Sequence, residues 1–313
     1  MRNPFGFVAL AALCVVAPLA AQAPVPQPPA AAGDKPFAAG TPLETSPNVK
    51  VYGSFRFCES LSYDEQRDLY VAVNAGIAQD VIPNDGYVSL VNPDGSVHTP
   101  KWIGATRNGL TLNHPLGSDI ANGHLYVVDI DTIRWFDMAT GAPEGEVKVE
   151  GATRFNDIEV AADGTMYTTQ TGTPQDPASW RVYKVSPQGQ ATQFVSGAPL
   201  NMPNGVAFDA KGNVVVVTIG NNEVLTFSPD GKLLQTENTV DPGNDGLVVL
   251  ADGTKYVSSV RAGTVSRIRP GQKAEVVASG IPSAASMMYD SKRNRLVIPM
   301  NDNNAIAIVE IGK

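Results

Sequence analysis

Six positions hold the chemistry this sequence offers: Glu59, Ser118, Asn156, Asn204, Asp245 and Ala285. Each opens the same short grammar: an aliphatic residue two places on, a turn, then a strand. The copies read ESLSYDEQRDLYVAV, SDIANGHLYVV, NDIEVAADGTMYTT, NGVAFDAKGNVVVV, DGLVVLADGTKYVSS and ASMMYDSKRNRLVIP. Leu61, Ile120, Ile158, Val206, Leu247 and Met287 hold the aliphatic place. Tyr70, Tyr167, Val215, Tyr256 and Leu296 fall eleven places after the first residue, and a shorter turn in the second copy brings Tyr126 in early. Four of the six first residues carry a carboxylate or carboxamide oxygen, and two of those four are acids.

Repeats put equivalent residues at equivalent points in space, so these oxygens are expected to converge. Two carboxylates facing each other repel and raise each other's pKa unless a cation lies between them. Oxygen donors with about two negative charges suit a hard divalent cation, Ca²⁺ before Mg²⁺ or Mn²⁺. Zn²⁺, a further substitute, more often draws His or Cys, and neither occurs in the set. The expected metal ligands are therefore Glu59, Asn156, Asn204 and Asp245. The competing reading is that Asn and Asp only cap turns at strand starts. Four in one register weigh against it.

The elements that must position these residues follow from the repeat. Each copy supplies two strands about an Asp-Gly or equivalent turn, and two more strands follow through turns such as Asn92-Pro93-Asp94-Gly95 and Ser228-Pro229-Asp230-Gly231. Residues 48–313 number 266, about 44 for each of six units, the size of a propeller blade. The expected fold is all-β: a six-bladed β-propeller of four-stranded antiparallel blades. Innermost strands begin beside the central tunnel of such a fold, which brings the six first residues together. The last copy ends one strand short, after Ala305-Ile306-Ala307-Ile308-Val309, while residues 48–54 precede the first copy. That N-terminal segment is expected to be the missing outer strand, closing the ring and hiding an open edge.

Composition narrows the function classes. The net charge is −8 and the pI about 4.9, without a Lys/Arg cluster, so nucleic acid is not an expected partner. Residues 1–23 read as a signal peptide: Arg2, an apolar run from Phe5 to Leu19 too short to span a bilayer, and Ala21-Gln22-Ala23. The mature chain is expected to begin near Pro24, to keep no membrane span, and to be periplasmic or secreted. Residues 24–47, rich in Pro and Ala, read as a disordered spacer, and residues 48–313 as the propeller. Cys14 would leave with the signal, so Cys58 remains alone, a small buried strand residue without a disulfide partner. Asn84-Asp85-Gly86 reads as a hairpin turn and Asp129-Ile130-Asp131 as a loop-capping pair. Neither a Gly-x-Ser-x-Gly elbow nor a Walker loop occurs, which leaves serine-nucleophile and nucleotide chemistry without footing.

Four motifs carry a resemblance. PNGVAFDAKG (203–212), RFNDIEVAADG (154–164), NDGLVVLADG (244–253) and the ES of CESLSYD resemble the gluconolactonase/regucalcin (senescence marker protein) family of six-bladed propellers, from about Cys58 to the C-terminus. Diisopropyl fluorophosphatase is a related propeller. The resemblance implies a divalent ion on Glu59, Asn204 and Asp245, and sugar-lactone contacts from Arg154 and Asn156. The fluorophosphatase pattern puts the equivalent of Asn156 on the metal, so its role stays open between ligand and substrate contact. Family sugar lactonases often have an acid on the loop after the second strand of the third blade; this chain has Thr169-Gln170-Thr171-Gly172 there, which counts against a gluconolactone-like substrate. Phosphotriesterase and paraoxonase relatives often add a His near the ion, and His114 is the candidate.

What the resemblance implies is cation-dependent hydrolysis of a lactone or similar cyclic ester, a small-molecule substrate. Asp245 would be the general base, and Arg154 would orient the substrate or steady the oxyanion. The alternatives are a non-catalytic, metal-pinned propeller that binds a partner in the envelope, or a phosphotriesterase using the same site. An open polar cavity above the ligands favours an enzyme; a plugged one favours a scaffold.

Overall fold

The computed structural model describes residues 43–53, 55–77, 81–104 and 111–312. The stretch read as a signal peptide and most of the stretch read as a spacer lie outside the described residues. Strands β1 (Leu43–Ser46) and β2 (Val49–Gly53) precede the first repeat. Blade 1 is β3 (Cys58–Asp64), β4 (Leu69–Asn74), β5 (Tyr87–Val91) and β6 (Val97–Gly104). Blade 2 is β7 (Pro115–Ala121), β8 (His124–Asp129), β9 (Thr132–Asp137) and β10 (Pro143–Lys148). Blade 3 is β11 (Ile158–Val160), β12 (Met166–Gln170), β13 (Arg181–Val185) and β14 (Ala191–Ser196). Blade 4 is β15 (Pro203–Phe208), β16 (Val214–Thr218), β17 (Glu223–Phe227) and β18 (Leu233–Asn238). Blade 5 is β19 (Asn244–Val249), β20 (Lys255–Ser259), β21 (Thr264–Ile268) and β22 (Glu275–Ser279), and β23 (Met288–Asp290), β24 (Arg295–Met300) and β25 (Ala305–Glu310) begin blade 6. The expected six-bladed propeller is what the chain forms.

Why a blade needs neighbours is plain in its second strand. Successive strand residues face opposite sides of a sheet, and β16 is Val-Val-Val-Val-Thr, buried throughout. Val214 and Val216 pack toward blade 3 against Tyr167 and Val182. Val215 and Val217 pack toward blade 5 against Leu247 and Val257. β4 does the same, with Leu69, Val71 and Val73 toward blade 2 and Tyr70 and Ala72 toward blade 6. Six apolar clusters result, each between two adjacent blades.

The ring closes as expected. β2 pairs antiparallel with β25, from Val49 opposite Val309 to Gly53 opposite Ala305, and Val49 and Val51 are buried between blades 5 and 6. Ser54, the end of the expected closing segment, lies outside the described residues. One strand is additional: β1 pairs with β2, so the last sheet runs β1-β2-β25-β24-β23. Its residues fall in the stretch read as spacer through residue 47; the sheet begins at Leu43. Asn48 helps to hold this turn, its side-chain amide donating to the Val277 and Glu310 carbonyls, each at 3.3 Å.

Among the described residues the helical content is two short 3-10 turns, Pro177–Ser179 and Asn301–Asn303. No described helix is long and apolar enough to cross a membrane.

Candidate functional site

The inner strands are irregular where they enter the tunnel. The ladder shifts between Cys58 and Ser60 in β3, between Pro203 and Val206 in β15, and between Asn244 and Leu247 in β19. Such bulges re-aim a side chain, and Glu59, Asn204 and Asp245 sit in them. The glycines after two of these residues have a steric cause. A Cβ on Gly205 would lie 2.4 Å from the Asp245 carbonyl oxygen, and one on Gly246 would lie 2.5 Å from the Met287 nitrogen. The Asn-Gly and Asp-Gly pairs therefore join an oxygen donor to the close approach of neighbouring blades.

Hydroxyls on the second strands satisfy part of the displaced backbone. The Asp157 N–H donates to Thr169 Oγ1 (3.1 Å), and that hydroxyl donates to the Asn204 carbonyl of the next blade. The Gly246 N–H donates to Ser258 Oγ (2.7 Å), which donates to the Ala285 carbonyl (2.8 Å). Buried backbone groups demand such partners, and these two hydroxyls tie adjacent blades at the level of the site.

Glu59, Asn156, Asn204 and Asp245 line one cavity of about 490 Å³ at this end of the tunnel. The structure brings all four together. Asn156 is half-buried, its backbone pinned by its N–H to the Thr169 carbonyl (2.8 Å) and by the Gly117 N–H to its own carbonyl (2.7 Å). Arg154 is exposed at the wall of the same cavity.

The other two first residues are elsewhere. Ser118 lines a separate cavity further along the inner strands, its hydroxyl 2.9 Å from Ser60 Oγ and 3.0 Å from Ser62 Oγ. A shift between Pro115 and Ser118 puts Leu116 at the site in its place. Ala285 lines neither; blade 6 instead supplies Asn301 and Asp302 from the 3-10 turn. Asn301 donates its amide to Glu59 Oε2 at 2.7 Å, a contact the repeat register does not reveal. His114 is buried beside the site rather than in its lining, with Nδ1 3.5 Å from Arg154 Nη2. Asp129 caps its loop, accepting the backbone N–H groups of Asn113 and His114.

The electrostatics are those of acids out of water. Burial pushes Glu59 up to about 7; the Asn301 amide and Arg154 hold it back, while Asp157 and Asp302 push it further. Burial, then Glu59 and Asp157, raise Asp245 well above the usual carboxylate range. Burial also lifts Asp157 to about 7; its Oδ2 accepts the Val206 N–H at 3.2 Å.

Two oxygens stand out. Asn204 gives its amide to Asp245 Oδ2 at 3.3 Å, which leaves Asn204 Oδ1 and Asp245 Oδ1 buried without a hydrogen-bond partner. Asn204 is 2% exposed and Asp245 3%. Buried acceptors without donors are costly, and a cation at this point would satisfy both. Among the described residues no group of three or more His, Cys, Asp or Glu gathers as a metal site. The donor set here is two carboxylates and two carboxamides, which fits a hard ion.

Comparisons with known proteins agree with this architecture. The family model described as the SMP-30/gluconolactonase/LRE-like region matches residues 93–299. Among curated proteins, none matches in sequence. A solved gluconolactonase from Xanthomonas campestris is 18% identical, with 84% of this chain and 90% of that one covered at a TM-score of 0.63. Virginiamycin B lyase from Staphylococcus aureus is 13% identical, with 84% and 100% covered at a TM-score of 0.58. At these identities the solved structures show the shared fold and nothing about the reaction. The family match spans about two-thirds of the sequence: this chain belongs to the SMP-30/gluconolactonase/LRE-like family.

Proposed function

We propose that this propeller is a divalent-cation-dependent hydrolase of a lactone or similar cyclic ester. One observation carries the reading: two buried acids and two unpartnered oxygens, Asn204 Oδ1 and Asp245 Oδ1, lie at the wall of a cavity large enough for a small molecule. Glu59, Asn156, Asn204 and Asp245 would hold the ion, with Ca²⁺ as the first choice. When bound, the ion supplies Lewis-acid polarisation of the ester carbonyl.

The chain's own groups do the rest. Arg154, a cationic side chain in the cavity lining, orients the substrate and steadies negative charge at the carbonyl oxygen. Asp245, whose unpartnered Oδ1 would face the ion, takes the proton of the attacking water on Oδ2, the oxygen that the Asn204 amide reaches at 3.3 Å. As the ring C–O bond breaks, the same proton returns to the departing oxygen, and a hydroxy acid leaves.

The test is a panel of lactones and phosphotriesters with defined metals, on protein stripped by chelator, alongside calorimetric Ca²⁺ titration of wild type and Asp245→Asn. Losing one of two ligand charges should weaken binding by about 100-fold, and saturating metal should not restore turnover. Equal Ca²⁺ affinity would remove the axial site from this account. Full activity in the saturated variant would strip Asp245 of its role as base. Turnover of phosphotriesters alone would move the site to that chemistry, and no turnover at all would leave a scaffold. The N-terminal 23 residues are proposed as an export signal; mass spectrometry finding them intact on cytoplasmic protein would refute this.

A further inference from the structure

The cavity's walls differ from its charged floor. Phe57, Leu116 and Phe155 form one apolar wall, all buried. Met202, Ile219 and Val260 form a second, half-buried and facing the cavity beside Asn204 and Asp245. The backbone fixes this second wall: the Ile219 N–H donates to the Met202 carbonyl (2.9 Å), and the Val260 N–H to the Gly243 carbonyl (3.0 Å).

Two of the polar side chains around it, Thr171 and Asn301, are committed to the protein. The Thr171 hydroxyl donates to the Pro203 carbonyl at 2.8 Å. Asn301 gives its amide to Glu59 and accepts the Asp302 N–H at 2.7 Å on its carbonyl. A polyhydroxylated ring needs a partner for each hydroxyl it brings out of water, or it binds weakly. An apolar substituent needs only surface to cover, and this site provides it.

We infer that the substrate carries an apolar substituent seated on Met202, Ile219 and Val260, with its polar reacting group turned toward Asn204 and Asp245. The site is thus assigned to alkyl- or aryl-substituted cyclic esters in preference to sugar lactones. The substrate class rests on the hydrolase reading, whereas the apolar subsite rests on the wall itself.

The experiment separates the two. With Ca²⁺ present, 5-alkyl γ-lactones of increasing chain length and a sugar lactone are compared for kcat/KM. The corresponding 5-alkyl lactams, in which ring nitrogen replaces the ester oxygen, are titrated by calorimetry. The expected result is a gain of about fourfold per added methylene in both series until the wall is covered. Ile219→Asn and Val260→Asn should each flatten that slope, with circular dichroism and Tm confirming that they fold. A flat chain-length dependence in the lactams, or a sugar lactone turned over better than every alkyl lactone, would overturn the inference. A steep lactam slope without turnover of any lactone would remove the hydrolase reading and keep the apolar subsite.

Discussion

Replacing Glu59 by Gln should stabilise the metal-free protein at neutral pH and destabilise the metal-loaded one. The Glu59 carboxyl is buried and pushed from 4.5 up to about 7. The folded chain therefore holds a proton that the unfolded chain has released, and stability falls as pH rises between those values. At about 1.4 kcal/mol per tenfold change in proton affinity, the penalty above pH 7 is on the order of 3 kcal/mol. Gln cannot ionise, and its side-chain carbonyl can still accept the Asn301 amide that Glu59 accepts at 2.7 Å. At roughly 2 °C per kcal/mol for a domain of this size, Glu59→Gln should melt about 6 °C above wild type near pH 7.5 in chelator. The difference should vanish as pH falls through the usual carboxylate range. Excess Ca²⁺ should reverse the order, because wild type gains by mass action what the variant binds poorly. Scanning calorimetry across pH, with chelator and with Ca²⁺, makes the measurement. Parallel melting curves for the two proteins at every pH in chelator would refute the reasoning, since Glu59 would then carry no penalty for a cation to relieve.

Three further outcomes follow from the geometry. Ser118→Ala should leave Ca²⁺ affinity within about twofold of wild type in calorimetric titration, because its hydroxyl bonds to Ser60 and Ser62 away from the site. Arg154→Ala should cut lactone kcat/KM by about 100-fold, with Ca²⁺ affinity changing far less, a split read by steady-state kinetics beside calorimetry. A chain starting at residue 55 should be less stable than one starting at residue 43 by roughly 3–6 kcal/mol, from uncovering the seats of Val49 and Val51. Urea titration of the two truncations checks the difference.

Much of this architecture was legible because the repeat is strict. The unbroken apolar run of strands such as β16 announces burial on both faces, and one register carries Glu59, Asn156, Asn204 and Asp245 to one place. The register failed at Ser118 because β7 shifts where Gly117 meets Asp157 of the next blade; a Cβ on Gly117 would lie 2.4 Å from the Asp157 Cα. Asn301 was invisible for a different reason: it belongs to the turn between β24 and β25, outside the grammar of inner strands. A weaker signal did exist for the inter-blade hydroxyls, since Thr169 and Ser258 each fall thirteen places after the first residue of their blades. Strand β1 was missed because Leu43–Ser46 is a short segment at the end of a Pro/Ala-rich stretch without a hydrophobic period, although it pairs with β2 as a local hairpin.

That closure has a kinetic meaning. Each blade is a run of local hairpins, but Val49 meets Val309 across 260 positions of chain. Joining ends so far apart costs about 5 kcal/mol of loop entropy, and local pairings form sooner than distant ones. The seam is therefore expected to be the last sheet contact made, after the final strand is available. Until then β2 and β25 each keep a backbone edge unpaired, open to a second chain as readily as to each other. The molecule's vulnerability to aggregation is concentrated in this interval, and dilution during refolding should favour closure within one chain over pairing between two.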